Sequence, residues 1–182
     1  MLIFQLFLLL ISILSSSQFL LSQPLDPKIL NSYGDVSLPD SSFTIQDLTF
    51  YYEFKDDLII AALVFRKPNQ FFAVGFGPTM AKADMWIFQI SGSTVTATDY
   101  YSPSYNPRTD KSLGGTEDLQ LLGYDIRTDS TVVKIQRKLN TGDPYDYVLQ
   151  ENMTVPMIWA TQSSQKLAKH SAGTYGKFTA MF

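Results

Sequence analysis

The chemistry open to this chain centres on the thioether of Met80, in the loop of FGPTMAKADMW (Phe76 to Trp86), and the imidazole of His170, its one histidine. His170 falls in the polar stretch Ser163 to Gly173, just before the last apolar run. A neutral imidazole nitrogen and a thioether sulfur are the pair that holds a low-spin haem iron from opposite faces in electron-transfer cytochromes. Each residue also has a plain structural explanation. Methionine fills irregular gaps in packing, and His170, beside Lys169, reads more readily as a surface residue. Residue type and spacing leave both explanations open.

Other chemistries are easier to exclude. The chain has no cysteine, so it has no thiolate nucleophile, no thiolate zinc site, no covalent haem attachment and no disulfide. A Ser-His-Asp hydrolase would have to use His170, and no G-x-S-x-G elbow accompanies it. Gly75-Phe76-Gly77-Pro78-Thr79-Met80 imitates a dinucleotide fingerprint, but its sixth position is Met, and Pro78 and the absence of a following helical pattern remove the phosphate cradle. The acidic pairs Asp56-Asp57 and Glu117-Asp118 read as solvated loop residues, with calcium binding the less favoured use. A formal charge of −3 argues against nucleic acid and anionic lipid as partners. Asn152-Met153-Thr154 is the one glycosylation sequon, usable only on a surface turn.

The elements that must position Met80 and His170 are strands. Residues 1–23 carry no charged side chain and combine an apolar run with a small polar end, the pattern of a secretory signal peptide that would send the protein outside the cytoplasm. Residues 24–42 read as an irregular lead-in, and no later segment reaches transmembrane length. From Leu48 the pattern has period two, with Leu48, Phe50, Tyr52 and Phe54 on one face. Leu58 to Phe65 is apolar at nearly every position. Phe71–Phe76, Met85–Ile90, Thr94–Tyr101, Leu119–Arg127, Thr131–Lys138, Val155–Thr161 and Thr174–Phe182 follow, each bounded by Gly, Asn, Asp or Pro. These spacings predict an all-β fold, an antiparallel immunoglobulin-like β-sandwich of about nine strands. Ser102 to Asp118 is expected as a long irregular loop. The loops carrying Met80 and His170 are expected at one end of the sandwich.

The ordered pieces FFAVGFGPTMAKADMWIF, TDYYSPSYNPRTD, VVKIQRKLNTGD, MIWAT and KLAKHSAGTYGKF resemble the DOMON domain over roughly residues 43–182. The resemblance is to the cytochrome-type branch, which includes the cytochrome domain of cellobiose dehydrogenase and domains associated with transmembrane b-type cytochromes. It implies a non-covalent haem b with Met80 and His170 as axial ligands and Phe76, Trp86 and Trp159 as shell residues. It further implies a single-electron relay rather than an enzyme with its own catalytic site. A membrane cytochrome or an ascorbate-linked donor would be its redox partner. The alternative is a haem-free extracellular module recognising a carbohydrate, a metal ion or a protein, a use suited to the aromatic stretch Tyr100 to Tyr105.

Overall fold

Side chains one residue apart on a strand point to opposite faces, so strand register decides which of them meet. The computed structural model describes residues 41–66, 70–164, 171 and 173–182. In these it shows eleven strands: β1 Ser41–Ile45, β2 Leu48–Lys55, β3 Leu58–Phe65, β4 Phe71–Phe76, β5 Ala83–Ser91, β6 Thr94–Ser102, β7 Arg108–Thr109, β8 Gln120–Ile126, β9 Thr131–Lys138, β10 Thr154–Gln162 and β11 Tyr175–Met181. One short helix, α1 Asp110–Leu113, follows β7. Two antiparallel sheets result. One has the order β1-β2-β3-β9-β8 and the other β11-β10-β4-β5-β6-β7. The all-β sandwich expected from the alternation is the fold observed.

The inward faces hold the core. Phe50, Ile59 and Leu63 of the first sheet meet Phe72, Trp86 and Phe88 of the second, and all are essentially inaccessible. Phe72 stacks on Phe88 at 4.6 Å between ring centroids, and Phe50 on Trp86 at 5.9 Å. Each such side chain contributes about 1.5–3 kcal/mol by leaving water, so without disulfides the core can carry the domain.

Two expectations need correction. The span Ser102 to Asp118 is not wholly irregular. Arg108 and Thr109 pair with Tyr101 and Tyr100, and Thr109 caps α1 by accepting a hydrogen bond from the Ser112 N–H. Gly114, at φ 96°, then ends the helix in the left-handed region that suits glycine. A further strand, β1, also lies ahead of the first periodic run, with Phe43 opposite Phe50. The expected signal peptide and all but the end of the lead-in lie outside the described residues.

Candidate functional site

Met80 lies in the loop between β4 and β5, partly buried. Backbone hydrogen bonds tie this loop down at three points. The Gly77 N–H donates to the Pro156 carbonyl (2.7 Å), the Lys82 N–H to the Ser102 carbonyl (2.6 Å) and the Ala83 N–H to the Met80 carbonyl (3.4 Å). Gly77 has φ 144°, where a side chain would be strained. Met80 is thus presented from a fixed turn at one end of the six-stranded sheet.

The outward face of that sheet is apolar where a sheet facing water would alternate to polar residues. Phe71, Ala73, Met85, Ile87 and Ala160 form a buried cluster there, with Tyr100 and Ile158 packed against it. Burial, and next the charge of Glu117, pushes the Tyr100 hydroxyl above its usual pKa. The floor of this face is made of small residues: Ala73 and Gly75 on β4, Ala83 on β5 and Ala160 on β10. Gly75 is required by space, since a Cβ at that position would stand 2.8 Å from Ile158 Cγ1 and 2.9 Å from Met85 Cγ.

His170 lies outside the described residues, but the strand ends that flank its segment do not. Register pairs Phe76 with Met157 and Phe71 with Gln162, so β4 and β10 run in opposite directions. Met80 follows the Phe76 end, whereas the connection from Gln162 to Tyr175 leaves from the Phe71 end, roughly 17 Å away at about 3.3 Å per residue. The two loops therefore do not leave from one end of the sandwich as expected. The physical reason is that β10 pairs antiparallel beside β4, with three strands of its own sheet and two of the other intervening in sequence. At the return to β11 the chain is held by the Thr174 N–H and Oγ1, both donating to the Ser171 carbonyl, and by the Thr161 N–H donating to the Thr174 carbonyl.

Phe76 and Trp86 face inward, not toward the outward cluster, because they share phase with Phe72 and Phe88. Trp159 has the same inward phase and packs over Gly176, where a Cβ would come within 2.6 Å of its Nε1. Phe76 and Trp86 instead flank the buried guanidinium of Arg137, whose Cζ is 5.6 Å and 5.2 Å from their ring centroids. Arg137 Nη1 donates to Asp84 Oδ2 (2.6 Å) and Asp146 Oδ1 (3.2 Å), and Nη2 donates to the Tyr147 carbonyl (2.7 Å). The Tyr147 N–H returns a bond to Asp84 Oδ2 at 2.8 Å. Burial works against the charge of Arg137, but Asp84, Asp146 and Asp99 outweigh it and hold its pKa up. Burial raises the pKa of Asp84, with Arg137 opposing.

Sequence inspection passed over this buried network. Its signal was present: Asp84 is in phase with Trp86 and Phe88, Asp99 with Val95 and Ala97, and Arg137 with Val133 and Ile135. A charged residue at a core position of an apolar strand demands partners. Elsewhere, Asn152 is exposed on a turn at φ 60°, and Tyr105 projects into solvent at 73 % exposure. No described helix is long and apolar enough to cross a membrane.

A profile of the DOMON domain matches residues 44–162. No curated protein matches the chain. Among solved structures, the fold is similar to the cytochrome b domain of pyranose dehydrogenase from Coprinopsis cinerea, with 18 % identity, TM-score 0.56, and 76 % of this chain and 80 % of that one covered. It is also similar to the cytochrome domain of Myriococcum thermophilum cellobiose dehydrogenase, with 12 % identity, TM-score 0.53, and 78 % and 87 % covered. At these identities the likeness establishes the architecture.

Proposed function

Because the chain belongs to the DOMON domain family, we propose that it is a b-type haem domain that relays single electrons, with Met80 and His170 as axial ligands. The observation that carries this is the outward face of the six-stranded sheet. A small-residue floor bordered by Phe71, Met85, Ile87 and Ile158 suits a flat apolar ring, and the tied loop of Met80 stands at its edge. Four residue steps separate His170 from Thr174, a reach of about 14 Å. Joint ligation by Met80 and His170 therefore has to span the separation between the two strand ends. Likeness to two cytochrome domains supports the same assignment.

When bound, the haem iron supplies a one-electron ferric/ferrous couple. The remaining work belongs to the protein. The sulfur of Met80 and the imidazole of His170 would hold the iron, and the apolar face would exclude water. Thioether ligation and a water-poor surround both favour the reduced state and raise the potential. Phe71, Ala73, Met85 and Ile87 take the shell role here, since Phe76 and Trp86 turn to the core. The leader at residues 1–23 would place the domain outside the cytoplasm, where a membrane cytochrome or an ascorbate-linked donor would be its partner.

The test is spectroscopic. Protein reconstituted with haem b should give a low-spin spectrum with a sharp α band on reduction. Met80→Ala and His170→Ala should each convert it to a high-spin spectrum or abolish binding. Unchanged spectra in both variants would exclude these ligands, and failure of the intact protein to take up haem would favour the haem-free module.

A further inference from the structure

We propose that the buried carboxylates of Asp84, Asp99 and Asp146, at the Met80 end of the sandwich interior, form a binding site for one calcium ion, with the buried carboxylate of Asp110 adding negative charge beside them. Asp84, Asp99 and Asp146 each bring an oxygen into a set lying within 4.8 Å of one another. That spacing matches oxygens arranged around a single ion with bonds of about 2.3–2.6 Å. The residues come from separate elements, β5, β6 and the segment after β9, with Asp110 supplied by the first residue of α1. The site exists only in the folded chain.

The second observation is independent of the clustering. Asp99 and Asp110 are both inaccessible to solvent, and neither carboxylate has a hydrogen-bond partner for either oxygen among the described residues. Arg137 takes Oδ2 of Asp84 and Oδ1 of Asp146, which leaves Asp84 Oδ1 and Asp146 Oδ2 also without partners. Six carboxylate oxygens thus remain for one guanidinium that is already engaged. Native proteins rarely leave so many buried acceptors unsatisfied. Ionising all of these carboxyls beside one guanidinium is costly, so without a metal some of them hold a proton, which a divalent ion would displace.

The donor set selects the ion. It offers oxygen only, with no imidazole or thiolate, so hard cations are favoured over zinc or copper. Calcium accepts six to eight oxygens in irregular geometry, whereas magnesium demands a near-ideal octahedron and keeps its waters. Binding here would lock β5, which begins three residues after Met80, to β6 and to the Asp146 segment. This is a structural role, separate from haem ligation.

The experiment uses the full secreted protein stripped with EDTA. Added calcium should raise Tm by about 5 °C or more at saturation, and titration calorimetry should give one equivalent. Terbium should luminesce on tryptophan excitation, since Trp86 lies against the network, and calcium should displace it. Asp99→Asn and, separately, Asp110→Asn should weaken calcium binding at least tenfold while leaving the stripped protein no less stable, because Asn keeps the shape of a protonated Asp and cannot ionise. Absence of a calcium response, an equal response to magnesium, or full retention of calcium binding in both variants would overturn the assignment.

Discussion

Arg137 Nη1 stands 2.6 Å from Asp84 Oδ2, with the two side chains 0 % and 2 % exposed. The pair joins the end of β9 in one sheet to the start of β5 in the other, so it closes the sandwich beneath the Met80 loop. The same guanidinium holds the Tyr147 carbonyl and Asp146, and so fixes the long connection between β9 and β10 as well.

Removal of the guanidinium should be severe. Arg137→Met keeps much of the volume but strands Asp84 and Asp146 in the interior. Breaking one side of a buried pair costs about 3–5 kcal/mol, so the urea midpoint should fall by more than 1 M, given a slope of about 1–3 kcal/mol per M. Arg137→Lys should recover part of the loss, because a point charge replaces the charge but not the fork. A midpoint within experimental error of the parent would mean that the network does not hold the sheets together.

The same network predicts an unusual pH dependence in EDTA. Burial, together with Asp84 and Asp146, pushes Asp99 up to about 10 and Asp110 up to about 7. Burial, opposed by Arg137, leaves Asp146 at about 6. Glu117 and Asp143 add negative charge to the same region, opposed by Arg137 and, at Glu117, by Lys111. In the unfolded chain these aspartates titrate near about 4. Between that value and the folded pKa the native state holds more protons, so stability is full below about 4 and falls as pH rises through 6, 7 and beyond. The stripped protein should therefore have a higher denaturation midpoint at pH 5 than at pH 8, and calcium should reverse much of the loss at pH 8. A midpoint that rises with pH in EDTA would show that these carboxylates are not raised together.

Period two made most strands legible. Leu48, Phe50, Tyr52 and Phe54 point to one core as their spacing implied. The pattern fails for β1, whose exposed serines and threonine disguise a strand defined by pairing to β2, and for β7, which is two residues long. Lateral strand order was also hidden. Nothing local in WAT or AVGF states that Trp159 lies opposite Val74, and that neighbour relation sets the ends from which the two loops leave. The inward turn of Phe76 and Trp86 was legible in principle, since both share parity with a core run. Their nearness in sequence to Met80 suggested the wrong face. Asp84 and Asp99 carried the clearest unread signal, because an ionisable residue in phase with Trp86 or Val95 belongs to the interior.

Asn152 provides a test of secretion. It is exposed on a turn in the left-handed region, which asparagine tolerates better than most residues. Passage through a eukaryotic secretory route should therefore glycosylate it, visible as a mobility shift that a glycosidase removes. Thr154→Val is the better control than Asn152→Gln, since it destroys the sequon while leaving the turn residue and the strand preference of β10 intact. The shift should vanish in Thr154→Val without change in Tm beyond the loss of the glycan. A secreted parent protein with no shift would show that the turn is not modified.

Gly75 gives the sharpest probe of the outward face. Its missing side chain leaves room between Met85 and Ile158, and a Cβ there would come closer to both than real packing allows. Gly75→Val should force those side chains up from the sheet and roughen the floor on which a flat ring would lie. Overpacking of this kind costs about 1–3 kcal/mol. Haem affinity should fall at least tenfold, with the low-spin spectrum broadened or lost, while far-UV dichroism still reports a β-sandwich. Gly123→Ala, where a Cβ meets nothing within 4 Å, should leave haem binding unchanged. If Gly75→Val lost stability yet bound haem as tightly as the parent, the ring would have to lie elsewhere. Met80 would then be presented to a different surface.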